Sequence, residues 1–292
     1  MFSLRALSSV VLGIAGTVAG CKSDPRSADA QTSSAATADS AGGGPAIVNV
    51  AANDFAFQAP DKIPAGVVTI LLENHGKEVH QAQLVKLEDG KTVNDLAAAM
   101  KNHGPPPSWL KWMGGPNAVA PGQQVNASAV LAPGQYAYLC LIPSPDGTLH
   151  SAKGMVRPFQ VTDASSTSSA ELPASNHTIR LVDYTFEQSQ PLTPGRQTIL
   201  VENAGPQPHE LVLVKLAPGK KVEDFGTWAM TGMKGPPPAM PVGGVVVLEK
   251  GGRGTFTADL QAGEYGLICF VPDAKDGKVH LAHGMMKNIK VG

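Results

Sequence analysis

One unit occurs twice along this chain of 292 residues, and the duplication limits the possible folds more than any other feature. An offset of 129 residues relates the two copies over most of their length, as His80 and His209 illustrate. Other matched pairs are Asp54 and Asp183, Asn74 and Asn203, Tyr136 and Tyr265, and Cys140 and Cys269. Because each unit is long enough to bury its own core, a solenoid of short repeats is excluded. The sequence therefore predicts two copies of one domain, over residues 46–162 and 176–292, joined by a linker over 163–175 that is rich in Ser, Thr and Ala.

Each unit consists mainly of short apolar or alternating runs, which are typical of β-strands. The predicted strands are 67–73, 82–87, 125–131, 136–142 and 156–161, and then 197–202, 211–216, 265–271 and 286–291. One helix interrupts each unit, over 92–102 with Thr92 as its N-cap and over 222–229, and a proline triplet follows each helix. A total of 32 Gly and 24 Pro also favours a turn-rich β protein. The predicted fold class is all-β, with two tandem Greek-key β-sandwiches that each carry a short helical insertion.

The N-terminal segment has the pattern of a secretory signal. Arg5 precedes an apolar stretch over 6–19 that is too short to span a bilayer. The tetrapeptide that ends in Cys21 resembles the lipobox of bacterial lipoproteins, which implies a signal peptide over 1–20 and a lipid anchor on Cys21. An ordinary secretory signal with an incidental cysteine is the alternative. Residues 21–45 are small and polar and predict a disordered tether.

Two sets of four residues have the composition of a soft-metal site. They are His80, Cys140, His150 and Met155 in the first unit, and His209, Cys269, His280 and Met285 in the second. The spacing from the first His to the Cys is the same in both units, as is the spacing from the second His to the Met. Two imidazole nitrogens, a thiolate and a weak thioether suit copper in both of its oxidation states. The sequence therefore predicts up to two copper ions per chain.

These motifs resemble those of the cupredoxin (type 1 blue copper) family. The resemblance depends on Asn74-x5-His80, Gly134-x-Tyr136-x3-Cys140 and His150-x4-Met155, and on their counterparts in the second unit. It implies a copper protein that transfers electrons, with Met as a long axial ligand and with transient redox partner proteins. Many family members have Asn directly after the first His, whereas this chain has Gln81 and Glu210. The lipobox adds a membrane anchor in a bacterial cell envelope, and Lys22 after the anchor favours the outer membrane, facing the periplasm or the cell surface.

Several alternatives stay open at this point. Cys140 and Cys269 can be inert core residues, or a disulfide can join them in an oxidising compartment. A copper storage or delivery protein that uses His283, and a sandwich without metal, are the other functional hypotheses. The chain has no His-x-His pair, and Leu residues flank Cys140, so an oxidase with a trinuclear copper cluster is not expected. A formal net charge of −1 argues against nucleic acid as a partner.

Overall fold

The duplication predicted from the sequence is visible in the order of the strands and helices. The structure is a computed structural model that describes residues 44–101, 106–163 and 171–292. The first repeat contains β1 (Ala46–Asn53), β2 (Ala56–Gln58), β3 (Lys62–Pro64), β4 (Gly66–Asn74), β5 (Gln83–Leu87), α1 (Val93–Lys101), β6 (Leu110–Trp112), β7 (Gln124–Leu131), β8 (Gly134–Leu139) and β9 (Val156–Thr162). The second contains β10 (His177–Val182), β11 (Thr185–Gln188), β12 (Gly195–Asn203), β13 (His209–Leu216), α2 (Val222–Met230), β14 (Ala239–Leu248), β15 (Arg253–Leu260), β16 (Gly263–Ile268), a 3₁₀ turn (His280–His283) and β17 (Met286–Val291).

Each repeat is a sandwich of two sheets. In the first repeat the strand orders are β2-β1-β4-β7 and β3-β9-β8-β5-β6. In the second they are β11-β10-β12-β15 and β14-β13-β16-β17. The chain passes between the sheets more than once in each repeat, and α1 and α2 are inserted at equivalent places, after β5 and after β13. The all-β prediction of two tandem Greek-key sandwiches with short helical insertions is confirmed.

The predicted elements and the observed elements agree closely where the hydrophobic pattern is strong. The helix predicted to begin after Thr92 does so, because the Asp95 carboxylate accepts the backbone and hydroxyl hydrogens of Thr92. The strands predicted over 136–142 and 265–271 end earlier, at Leu139 and Ile268. The long strand β14 was missed, because Pro241 and the pair of glycines at 243–244 lack the pattern of a strand interior.

An apolar core fills each sandwich. In the first repeat the Phe159 ring stacks on Tyr136 and on Tyr138, with ring centroids 5.5 and 4.4 Å apart, respectively. Phe186 and Phe256 are fully buried in the second. Both candidate ligand sets extend these cores, because their Cys and Met side chains belong to the same buried clusters. The cores therefore provide rigid, dry walls around the candidate sites.

The two sandwiches share one sheet. Strand β7 lies antiparallel to its own equivalent, β15, and the pairing of Ser128 with Thr255 completes a sheet of eight strands. Beside this pair, the Asn126 side chain forms the two hydrogen bonds that a backbone would form in a regular antiparallel sheet. Its amide donates to the Thr257 carbonyl oxygen at 2.9 Å, and its oxygen accepts from the Thr257 amide at 3.0 Å. The repeats are therefore packed against each other by strand pairing as well as by apolar contact.

Equivalent residues meet at the centre of this interface. Pro116 and Val245, which occupy the same position in the two repeats, form a β-bridge with each other. Gly115 and Gly244 each accept a backbone hydrogen bond from the other repeat, at 3.0 and 3.4 Å. Both glycines have positive φ angles, and a Cβ at Gly115 would overlap the carbonyl oxygen of Ala82. The interface therefore has approximate two-fold symmetry with Pro116 and Val245 on its axis.

The domain boundaries remain a prediction, and part of the linker lies outside the described residues. The signal peptide, the Cys21 anchor and nearly all of the tether also lie outside them. Among the described residues, no helix is long and apolar enough to cross a membrane.

Candidate metal centres

The first candidate centre brings together three of its four predicted residues at one buried point. His80 Nδ1 lies 3.1 Å from His150 Nδ1, and Cys140 Sγ lies 3.9 and 3.3 Å from these two nitrogens. All three side chains are fully buried. Three donor atoms at about 2.0–2.3 Å from a metal in a trigonal plane lie roughly 3.5–3.7 Å apart. The observed triangle is of this size, so these donors fit a single metal ion.

The second centre repeats this arrangement. His209 Nδ1 lies 2.9 Å from His280 Nδ1, and Cys269 Sγ lies 3.4 Å from His280 Nδ1. His209, Cys269 and His280 are also fully buried, and their donor atoms all lie within 4.8 Å of one another. Both cysteines are free thiols, so a disulfide between Cys140 and Cys269 is excluded.

The same hydrogen bonds shape both ligand loops. Cys140 directly follows β8, and its amide donates to the Met155 carbonyl oxygen at 3.2 Å. The Met155 amide in turn donates to the His150 carbonyl oxygen at 2.9 Å. Cys269, His280 and Met285 form the same two bonds, at 3.2 and 3.0 Å. Because the loop closes on itself in this way, the positions of all three loop residues depend on one another.

The two methionines predicted as ligands belong to the ligand loops through the backbone hydrogen bonds just described. Met155 and Met285 are fully buried, directly before β9 and β17, in the same core clusters as Cys140 and Cys269. Their position agrees with the predicted role as weak axial ligands, which remains a prediction.

Carboxylates contact the outer nitrogens of three of the four histidines. Asp54 Oδ1 lies 3.1 Å from His80 Nε2, and Asp183 Oδ1 lies 2.5 Å from His209 Nε2. Gly76 makes the first approach possible, because a Cβ there would lie 2.7 Å from His80 Nε2. A carboxylate that accepts the Nε2 hydrogen leaves the Nδ1 lone pair free for a metal.

Within the described part of the chain, the outer nitrogen of the second histidine is hydrogen-bonded to a carboxylate in the first centre only. His150 Nε2 lies 2.9 Å from Glu78 Oε2. His280 Nε2 has no hydrogen-bond partner among the described residues, and the nearest carboxylate, on Asp273, is 3.8 Å away. Hydrogen bonds from Tyr184 and Gln207 hold the Asp273 carboxylate and lower its pKa.

These carboxylates were missed in the sequence. Asp54 and Asp183 match across the repeat, 26 residues before the first His in both copies. That equal spacing is a signal from which their role could have been predicted. Glu78 and Asp273 have no acidic counterpart in the other repeat, so the repeat carries no signal for them.

Burial sets the protonation of the donor groups. It raises the pKa of Cys140 to about 12, and it raises the pKa of Cys269 further, together with the nearby Glu210 carboxylate. Burial lowers the pKa of His80 and of His209, and it lowers the pKa of His280 to about 4. At neutral pH His80, His209 and His280 are therefore neutral and both thiols are protonated, so a metal that binds the thiolate must displace a proton.

His283 lies beside the second centre and outside its donor triangle. Its Nε2 is 3.2 Å from Asp276 Oδ1, and its ring stacks on Tyr184 with the centroids 4.8 Å apart. The Tyr184 ring also meets His280 edge-on at 5.4 Å, as Phe55 meets His150 at 5.2 Å. His283 is therefore a partly exposed neighbour of the aromatic residue that covers His280.

No protein-family model and no curated protein matches the chain. Among solved structures it is similar to an auracyanin from Roseiflexus castenholzii, with 21% identity and a TM-score of 0.28 over 40% of this chain and 96% of that one. It is similar to auracyanin A, a "blue" copper protein from Chloroflexus aurantiacus, with 22% identity and a TM-score of 0.30 over 41% of this chain and 100% of that one. A blue copper oxidase from Nitrosomonas europaea has 16% identity and a TM-score of 0.25 over 84% of this chain and 85% of that one.

The class of the protein follows from its own fold and donor groups. Each repeat is a two-sheet β-sandwich, and each holds a buried group of two His Nδ1 atoms and one Cys Sγ. A His₂Cys plane with a weak Met is the donor set of type 1 copper. The β-sandwich fold and the donor groups agree with the cupredoxin resemblance of the sequence motifs, and the two groups are candidate type 1 copper sites.

Proposed function

We propose that this chain is a membrane-anchored electron-transfer protein with one type 1 copper site in each repeat. One observation carries the proposal: two complete and fully buried His–Cys–His groups occur at equivalent positions of the two sandwiches. When bound, copper supplies the change between Cu(I) and Cu(II). The protein's part is to hold the donors in one geometry while the charge changes.

The surroundings of the donors are suited to holding them in one geometry. Strand ends and the closed loop after Cys140 fix the donor positions, and the carboxylates of Asp54 and Glu78 orient the rings of His80 and His150. A site whose donors already have their final positions needs little rearrangement when an electron enters or leaves. Full burial also keeps water and small copper-binding molecules away, which favours a resident metal over an exchangeable store.

A carrier is favoured over an enzyme by what surrounds the centres. In the described part of the chain, the one other group of potential metal ligands is Asp273, Asp276 and His283, which contains a single histidine. The residues beside the cysteines are Leu139, Leu141, Ile268 and Phe270, and none can ligate a second copper. We therefore propose that the protein is not an oxidase and that it exchanges electrons with transient redox partner proteins.

The predicted lipobox supports an anchored location. We propose that the mature chain begins at a lipidated Cys21 in a bacterial cell envelope, and that the anchor lies in the outer membrane because Lys22 follows it. Growth with a labelled fatty acid should label the protein, and Cys21→Ser should abolish the label. Labelling that persists in Cys21→Ser would contradict the anchor.

Visible spectroscopy tests the copper sites. The full chain with Cys21→Ser is titrated with Cu(II), and we expect an intense thiolate-to-copper absorption band that saturates at two copper ions per chain. Cys140→Ser and Cys269→Ser should each remove one copper ion and part of the band, and the double variant should remove the band. Copper uptake without the band would favour storage, and no uptake would overturn both functions.

Oxygen consumption separates a carrier from an oxidase. The copper-loaded protein, reduced with a one-electron donor, should consume oxygen no faster than the double cysteine variant. Sustained consumption that depends on both cysteines would contradict the carrier proposal.

A further inference from the structure

Asn117 of the first repeat extends into the second repeat beside its candidate metal centre. The residue lies between β6 and β7, and its side chain is fully buried. Its amide nitrogen donates to Glu210 Oε2 at 3.2 Å, to the Leu211 carbonyl oxygen at 3.0 Å and to the Val245 carbonyl oxygen at 3.3 Å. Its Oδ1 accepts the Ala118 amide at 2.8 Å. With both ends engaged, the amide has one orientation, with its donor end in the second repeat.

Glu210 connects this amide to the ligand loop. It directly follows His209 and is 5% exposed. Its Oε1 accepts the amide of Phe270, the residue after Cys269, at 3.0 Å. Its own amide points at Cys269 Sγ at 3.5 Å. The Glu210 side chain therefore holds the amide of Phe270, the backbone amide of the same residue points at the thiol, and Asn117 holds that side chain from the other repeat.

The connection exists on one side of the interface only. By the two-fold relation, the counterpart of Asn117 is Val246, and the counterpart of Glu210 is Gln81. Val246 is fully buried and has no polar side-chain atom, so the same bond cannot form toward the first centre. Exact two-fold symmetry would place the same residue at both positions. Asn117 and Val246 therefore break the symmetry of the interface.

We propose that Asn117 is a positioning residue for the second metal centre, so that this centre is complete only when the first repeat is docked against it. The inference rests on the proposed copper function. Asn117 touches no metal donor itself and acts through Glu210 on the loop that carries Cys269. Val246, at the equivalent position, has no polar atom with which to form the same hydrogen bond toward the first centre.

Single-site backgrounds test the proposal. Cys140→Ser leaves the second centre and Cys269→Ser leaves the first, and each background receives Asn117→Ala or the matched control Val246→Ala. Loss of a residue that orients a metal ligand typically costs about 10–100-fold in metal affinity. We expect a loss of this size, with a shifted visible band and a shifted reduction potential, for Asn117→Ala at the second centre only. Val246→Ala should leave both bands in place.

Two further measurements keep the test decisive. In the metal-free protein, the amides of Glu210 and Phe270 should exchange their hydrogens faster in Asn117→Ala, and not in Val246→Ala. Asn117→Leu, which keeps the shape but not the donors, should behave like Asn117→Ala. Equal losses at both centres, or unchanged exchange and an unchanged band at the second centre, would overturn the proposal. If the parent backgrounds show no thiolate–copper band at all, the proposed function fails instead.

Discussion

His150 presents its outer nitrogen to the Glu78 carboxylate at 2.9 Å, whereas the equivalent nitrogen of His280 has no hydrogen bond among the described residues. The residue that corresponds to Glu78 is Gln207, which binds Asp183 and Asp273 instead. The two centres therefore share their donors but differ in the groups that orient them. Because such groups tune metal affinity and potential, we expect the centres to be distinguishable in solution.

Glu78→Gln should weaken copper binding at the first centre alone. The carboxylate orients His150 and increases its basicity, so we expect a loss of roughly 10-fold or more in affinity. The measurement is a competition titration of the Cys269→Ser background against a chelator of known affinity. Glu73→Gln, which removes an exposed carboxylate beside His75, is the matched control. Equal losses in the two variants would show a general charge effect and contradict the prediction.

Copper should raise the thermal midpoint of the full chain. A ligand that binds only the folded state stabilises it by about 4 kcal/mol at a free concentration 1,000 times its dissociation constant. Removal of the metal with a chelator should reverse the shift, and the Cys140→Ser, Cys269→Ser double variant should show none. Differential scanning calorimetry provides the measurement. A shift that survives in the double variant would mean that copper binds elsewhere.

The metal-free protein should lose stability in mild acid. Burial lowers the pKa of His280 to about 4 and also lowers the pKa of His80 and of His209, whereas the unfolded chain titrates near 6.5. Between these values the unfolded state binds more protons, so the free energy of unfolding should fall as the pH drops from about 7 to about 4. Urea denaturation across this range measures it. His280→Gln should flatten the dependence, and a steeper dependence in that variant would contradict the prediction.

Tyr138→Phe should be neutral or stabilising. The Tyr138 side chain is fully buried, and its hydroxyl has no hydrogen-bond partner among the described residues. The matched control is Tyr136→Phe, which removes a 2.8 Å hydrogen bond to the Ala132 carbonyl oxygen and should cost about 1 kcal/mol. Chemical denaturation compares the two variants. A larger loss for Tyr138→Phe would show that its hydroxyl has a polar partner in solution.

The structure brings His80, Cys140 and His150 together as the sequence predicted, because His and Cys that recur at equal spacings have few other roles. Their role as metal ligands stays a prediction. Acidic residues are common on surfaces, so nothing distinguished Glu78 from an ordinary solvated carboxylate.

The contact between the repeats could not be predicted. Strand β7 has the same alternating pattern as its equivalent β15, and neither pattern indicates that the two strands pair. The contact of Asn117 with Glu210 could not be predicted either, because the sequence around a single Asn in a loop does not indicate a carboxylate across an interface. Such contacts depend on the docking of two finished surfaces, and one-dimensional patterns do not encode docking.

The bridge between Pro116 and Val245 places two copies of one position face to face. A chain with a single repeat could form the same contact as a two-fold homodimer, because an isologous interface uses the same patch on both partners. In such a dimer every substitution appears twice, so an amide at position 117 would also be present at the two-fold related position. Covalent fusion removes that constraint. A tandem chain can keep Asn117 beside Glu210 in one half of the interface and Val246 at the equivalent position in the other, so that the two centres can differ in function.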